Sequence, residues 1–105
     1  MRLRLDYFDQ NERFAKLLPV DGTVVRALES GGGGKWALFQ LDIPVTYEGI
    51  SYQYFLLRSR WRSMEIGGKE PTSVFILLVR NQDEVQDGFD VHSFPHVAWG
   101  MTQVL

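Results

Sequence analysis

The chain of 105 residues contains no cysteine. That excludes a disulfide framework, a thiolate metal centre and a cysteine nucleophile, and it sets the expectation of a cytoplasmic protein instead of a disulfide-stapled secreted module. Long apolar runs are missing too. The longest uninterrupted one covers residues 74–79, far short of the roughly 20 residues that a membrane helix needs. The opening MRLRLDYFD alternates charged with apolar side chains and builds no signal-peptide hydrophobic region. No membrane partner is therefore expected. Nor is there an excess of one charge: 11 Lys and Arg stand against 13 Asp and Glu, for a net charge of -2, which argues against a protein that is basic in bulk and built for nucleic acid. No internal repeat and no linker breaks the sequence, so one domain over residues 1–105 is expected.

Catalytic and cofactor signatures are equally scarce. The four glycines at 31–34 are followed by Lys35 and then Trp36, and Glu29 occupies the position of the first glycine of a phosphate-binding loop. That motif needs Gly, four residues, then Gly-Lys-Ser/Thr so that backbone N–H groups cradle phosphate, and the match fails at both ends. The run reads as a flexible hairpin loop. Serines 51, 59, 63, 73 and 93 sit in no Gly-x-Ser-x-Gly elbow. Acidic residues 83–90 lack the alternating oxygen ligands and closing Glu of a calcium loop. No cofactor is implied. Asp90, His92 and His96 form the one cluster of metal-ligand or acid-base residue types, but Pro95 interrupts their spacing and the set matches no zinc or facial-iron signature.

What the sequence does contain is a well-stocked core. Hydrophobic residues make up 45% and aromatics 13%, and a domain of this size buries roughly two thirds of the surface its unfolded chain exposes. Residues 2–8 alternate, with Leu3, Leu5 and Tyr7 on one face and Arg2, Arg4 and Asp6 on the other, which predicts a half-buried strand. Asp9 stands three residues before Glu12 as in a capping box, and Phe14, Leu17 and Leu18 follow at helical spacing until Pro19, predicting a helix over about 10–18. Residues 23–28 read as a short strand after an Asp-Gly turn. Residues 73–79 are apolar on both faces, as in a central strand covered on both sides. Residues 81–88 read as a loop or one helical turn, 89–94 as a short alternating piece, and 97–104 as a strand with Val97, Trp99 and Met101 on one face.

Residues 35–62 are the most informative stretch, because they read as one hairpin whose register its turn defines. A two-residue Glu48-Gly49 turn would set Phe39 against Arg58 and place arginines on the face of Leu41, Ile43 and Val45. A three-residue Tyr47-Glu48-Gly49 loop shifts the pairing by one, so that Leu41 faces Phe55 and Phe39 faces Leu57. The three-residue loop is the expected one. It assigns Phe39, Leu41, Phe55 and Leu57 to the core, and it gathers Trp36, Leu38, Gln40, Asp42, Tyr52, Tyr54, Leu56, Arg58, Arg60 and Arg62 on a second face.

That second face carries the functional expectation. Residues 50–80 hold a net charge of +3 and residues 81–105 a net of -4. The plainer reading is that Arg58, Arg60 and Arg62 pair with Asp83, Glu84, Asp87 and Asp90, within the chain or across a dimer, and it ranks ahead of anion binding. Trp36, Leu38, Tyr52, Tyr54, Arg58, Arg60 and Arg62 are the expected binding residues of a non-enzymatic interaction module, for a protein partner or a second copy of the chain. The alternative is an anion binder for single-stranded nucleic acid or a phosphorylated small molecule, using the three arginines as forks and the aromatics as stacking surfaces. A small enzyme or metal site at Asp90, His92 and His96 ranks third. The expected fold is mainly β, a small antiparallel barrel or strongly curved sheet of about six or seven strands with one short N-terminal helix, α+β being the alternative.

Overall fold

The computed structural model describes residues 1–7, 12–59, 66, 70–94 and 97–105. Six antiparallel strands close a barrel in sequence order: β1 (Arg2–Tyr7), β2 (Val20–Glu29), β3 (Lys35–Tyr47), β4 (Ile50–Ser59), β5 (Thr72–Val79) and β6 (Val97–Val104), with β6 returning to pair with β1. The mainly β, barrel reading of the sequence holds. Closure removes the exposed strand edges that an open sheet of this size would leave. The β1–β6 seam needs Gly100, where a Cβ would lie 2.9 Å from the Leu5 and Ile76 methyl carbons.

Alternation fills the interior. Leu3, Leu5, Phe39, Leu41, Phe55, Leu57, Val74, Ile76, Leu78 and Ala98 form one buried cluster, while Arg2 and Arg4 point outward into two-pronged ion pairs. Arg2 grips Asp42 at 2.5 and 2.6 Å, and Arg4 grips Asp21 at 2.8 and 3.1 Å. Each guanidinium holds its partner's carboxyl below the usual carboxylate range, chiefly through the side-chain hydrogen bonds, with desolvation opposing and Coulomb attraction adding to the lowering. One end of the barrel is plugged by α1 (Glu12–Ala15), shorter than the expected helix because Leu17 and Leu18 bond back to the carbonyls three residues earlier. The expected cap, Asp9, lies outside the described residues. Phe14 of α1 is 1% exposed, its ring 5.9 Å from Tyr47 edge-on and 5.6 Å from Phe55. Among the described residues no helix is long and apolar enough to cross a membrane.

The hairpin corrects one expectation in an instructive way. Tyr47 pairs with Ile50, so the turn has two residues, and Glu48 (φ 50°) and Gly49 (φ 82°) are both left-handed, as the favoured tight hairpin turn requires. The feared misplacement of the arginines does not follow. Pairing runs from Val45 with Tyr52 at the tip to Gln40 with Tyr54 beyond an irregularity, so β3 spends four residues where β4 spends one. This odd excess of three restores the face assignment: Phe39 sits opposite Phe55, and Ala37 opposite Leu57. Pro44 lies within the irregular stretch, where a residue without an N–H costs the ladder nothing.

Other elements also differ from the sequence reading. β2 begins at Val20 and carries its own shift between Val24 and Arg26. Residues 89–94 are not a strand: Phe89 makes an isolated bridge to Ser30, and Val91–Ser93 form a 3-10 turn. The expectation of a turn within 81–88 is met by a 3-10 turn at Gln82–Glu84.

Candidate functional site: the covered outer face of the barrel

A second apolar layer lies outside the barrel. Leu28 of β2, Trp36 and Leu38 of β3, Tyr54 and Leu56 of β4, and Leu77 and Val79 of β5 form one outer patch, and Val85, Phe89 and Phe94 pack onto it. These last three come from residues 80–94, which run across the patch as a strap. β5 is therefore buried on both faces, as its continuous apolar run implied: the barrel core lies on one side and the strap on the other.

The strap is shaped by polar caps and held by backbone bonds. Asn81 Oδ1 accepts from Asp83 N at 3.1 Å and Asp90 Oδ1 from His92 N at 2.9 Å, which start the two 3-10 turns. Gly31 N donates to Phe89 O and Gly88 N to Glu29 O, each at 2.8 Å. Glu29 N donates to Asp87 Oδ1 at 3.0 Å, and Arg26 Nη2 donates to Val85 O at 2.9 Å. Phe89 is the central anchor, its ring 6.0 Å from Trp36 and 5.9 Å from Phe94, both edge-on.

This cover redistributes the residues expected to bind a partner. Trp36, Leu38 and Tyr54 are 6%, 0% and 8% exposed and lie in the patch under the strap. Tyr52 belongs to the interior instead of the outer face, packing with Phe14 and Tyr47, because the hairpin tip turns at the irregular stretch and carries Tyr52 away from Tyr54. Burial pushes its phenol above the ordinary tyrosine range. Arg60 and Arg62 lie outside the described residues. Arg58 is half-buried, its guanidinium carbon 5.9 Å from the centre of the Trp36 ring. It also presses on the backbone of the glycine loop, where a Cβ at Gly34 would lie 2.9 Å from Arg58 Nη1.

The acidic segment does not reach Arg58. Glu84 pairs with Arg80 four residues earlier at 2.9 Å, while Asp87 and Asp90 accept backbone bonds that shape or hold the strap. Among the described residues no ion pair involves Arg58 or Asp83. Within the chain, the expected pairing of the arginines with this segment is thus replaced, at Arg58, by an aromatic contact. Asp83, Glu84, Asp87 and Asp90 of the strap, with Phe89 and Phe94, line a cavity of about 350 Å³.

Two further residues join Arg58. It lies opposite Phe75 across the β4–β5 ladder, and Phe75 lies opposite Trp99 across β5–β6. Their rings lie against each other, with centroids 3.8 Å apart and planes tilted by 45°. Arg58, Phe75 and Trp99 make a half-buried row across three strands, and Phe75 also packs against the covered outer patch. Sequence reasoning missed this row because Phe75 sits in a run that alternation assigns to burial on both faces. Of the Asp90, His92 and His96 cluster, Asp90 serves as a cap, His92 is exposed and His96 lies outside the described residues. Among the described residues no group of three His, Asp or Glu is placed to hold a metal ion. No protein-family model, curated protein or solved structure matches the chain.

Proposed function

We propose that this barrel is a non-enzymatic interaction module of the cytoplasm, and that it contacts a protein partner through the Arg58, Phe75 and Trp99 row. The observation that carries the reading is Arg58 itself. A half-buried guanidinium is held between an indole face and a glycine backbone, with no carboxylate partner among the described residues. Such a group retains donors for an incoming acceptor, and its stem is already ordered, which lowers the entropy lost on binding. Arginine and large aromatics are also the side chains that dominate protein interfaces. Nucleic acid fits the same row less well. A strand of phosphates laid along it would run beside the four carboxylates of the strap, whose like charge opposes a polyanion.

The test is a photo-cross-linking amino acid placed at Phe75, with exposed Thr46 on the hairpin tip as control, in cells that make the chain. The expected result is a protein adduct from position 75 and none from position 46. Equal yields at both positions, or no protein adduct at either, would remove the row as a contact surface.

A further inference from the structure

We infer that the partner is a second copy of this chain, paired about a two-fold axis so that the Arg58 row of each protomer receives the acidic strap of the other. This rests on the reading of the row as a protein contact and names its occupant. Trp36 ties the two complementary elements to one face of the barrel: the Arg58 guanidinium lies 5.9 Å from its ring and Phe89 of the strap 6.0 Å from it. A basic group and an acidic segment on one face are self-complementary when a copy is turned by a half-rotation, because each contact is then made twice.

The charges of the chain fit that arrangement. Arg58 and Asp83 both lack an ion-pair partner among the described residues, and residues 81–105 hold four acidic side chains and no Lys or Arg. The strap cavity of about 350 Å³ is lined by Asp83, Glu84, Asp87 and Asp90 with Phe89 and Phe94, residue types suited to a guanidinium or ammonium group from outside. Within one chain Arg58 stays on Trp36 and leaves Asp83 unmatched. Across two chains both are matched. The strap carboxylates that oppose a polyanion at this face favour a partner that brings one charge of each sign.

Sedimentation equilibrium on the full chain tests the pairing. Wild type is expected to associate with concentration, and Arg58→Glu and Asp83→Arg are each expected to weaken association at least tenfold. An equimolar mixture of the two variants is expected to recover wild-type association, since the reversed contact and the native one then form together. Lys16→Glu, a charge change on exposed Lys16 beyond α1, is expected to leave association unchanged. Where Arg58→Glu does not fold, Arg58→Gln keeps the stem over Trp36 and is expected to show the same loss. Wild type that stays monomeric to about 1 mM, or a mixture no stronger than either variant alone, overturns the inference. The cross-link at Phe75 separates the two levels: an adduct at twice the 12.1 kDa chain mass supports self-pairing, an adduct of another mass overturns self-pairing while sparing the interaction reading, and no adduct overturns both.

Discussion

The wall formed by β4 and β5 carries a hydrophobic cluster on each side, and the two are enclosed by different means. On the inside, Phe55, Leu57, Val74, Ile76 and Leu78 are sealed by continuous strand ladders that close on themselves. On the outside, Leu56, Leu77 and Val79 are sealed by the strap, a segment of 3-10 turns held by a handful of hydrogen bonds and three apolar anchors. The inner cluster has ring-on-ring closure by Phe14 at one end. The outer one leaves the Trp36 Nε1–H buried without an acceptor among the described residues, a defect that costs on the order of 1–3 kcal/mol. Enclosure by a closed sheet ties a residue to global unfolding, whereas enclosure by a strap permits local opening at lower cost. The same difference explains why the outer layer, and not the core, carries the candidate contact surface.

Truncation on each side should expose this contrast. Phe55→Ala empties a site with 0% exposure and is expected to cost about 3–5 kcal/mol, read from the denaturant midpoint at unchanged slope. Phe89→Ala removes the strap's anchor, and its cost is expected to stop at about 1–3 kcal/mol because the strap can detach while the barrel stays folded. Hydrogen exchange distinguishes the two outcomes. The Gly31 and Gly88 amides should exchange faster in Phe89→Ala while the β5 amides keep their protection. A uniform loss of protection would mean that the strap and the barrel unfold as one unit.

A smaller effect of opposite sign is expected at the hairpin tip. Glu48 is a non-glycine residue at φ 50°, and Glu48→Asn, which suits that conformation, should raise stability by up to about 1 kcal/mol. A destabilised variant would point to the three-residue loop instead. The smallest effect belongs to the outward ion pairs of β1. Asp21 and Asp42 have carboxyls held below their ordinary range by Arg4 and Arg2. The folded state therefore binds these protons less tightly than the unfolded chain does. Their contribution is present above the ordinary aspartate value of about 3.9 and is lost as pH falls from there through the depressed values. Asp42→Asn should flatten the acid limb of the stability profile in that window and leave neutral pH nearly unchanged, since exposed pairs contribute little.

How far the sequence could be read follows from what each pattern encodes. Alternation with a period of two reports which face a side chain takes, so Leu3 and Leu5 were assignable to the core from their strand alone, and Phe39, Leu41, Phe55 and Leu57 from any register of the right parity. Register itself depends on irregularities that alternation does not count. Two shifts of opposite parity, the two-residue turn and the three extra residues of β3, produce the same faces as one three-residue loop. Pro44 was the available sign, since proline inside a strand marks a break in the ladder. The strap was illegible for another reason. Val85, Phe89 and Phe94 are spaced irregularly among acidic and polar residues, so neither a helical nor a strand period announces their burial. Face assignment placed Trp36, Leu38 and Tyr54 outside the barrel correctly, but it did not show that the chain covers them itself.

The most direct test of that cover is hydroxyl-radical footprinting of the tryptophans, read by mass spectrometry across a concentration series. Trp36 should stay protected at every concentration and become reactive in Phe89→Ala, while Trp99 should be modified in dilute protein and protected as the chain associates. Trp36 modified as readily as Trp99 in dilute wild-type protein would contradict an outer face closed by the chain's own strap.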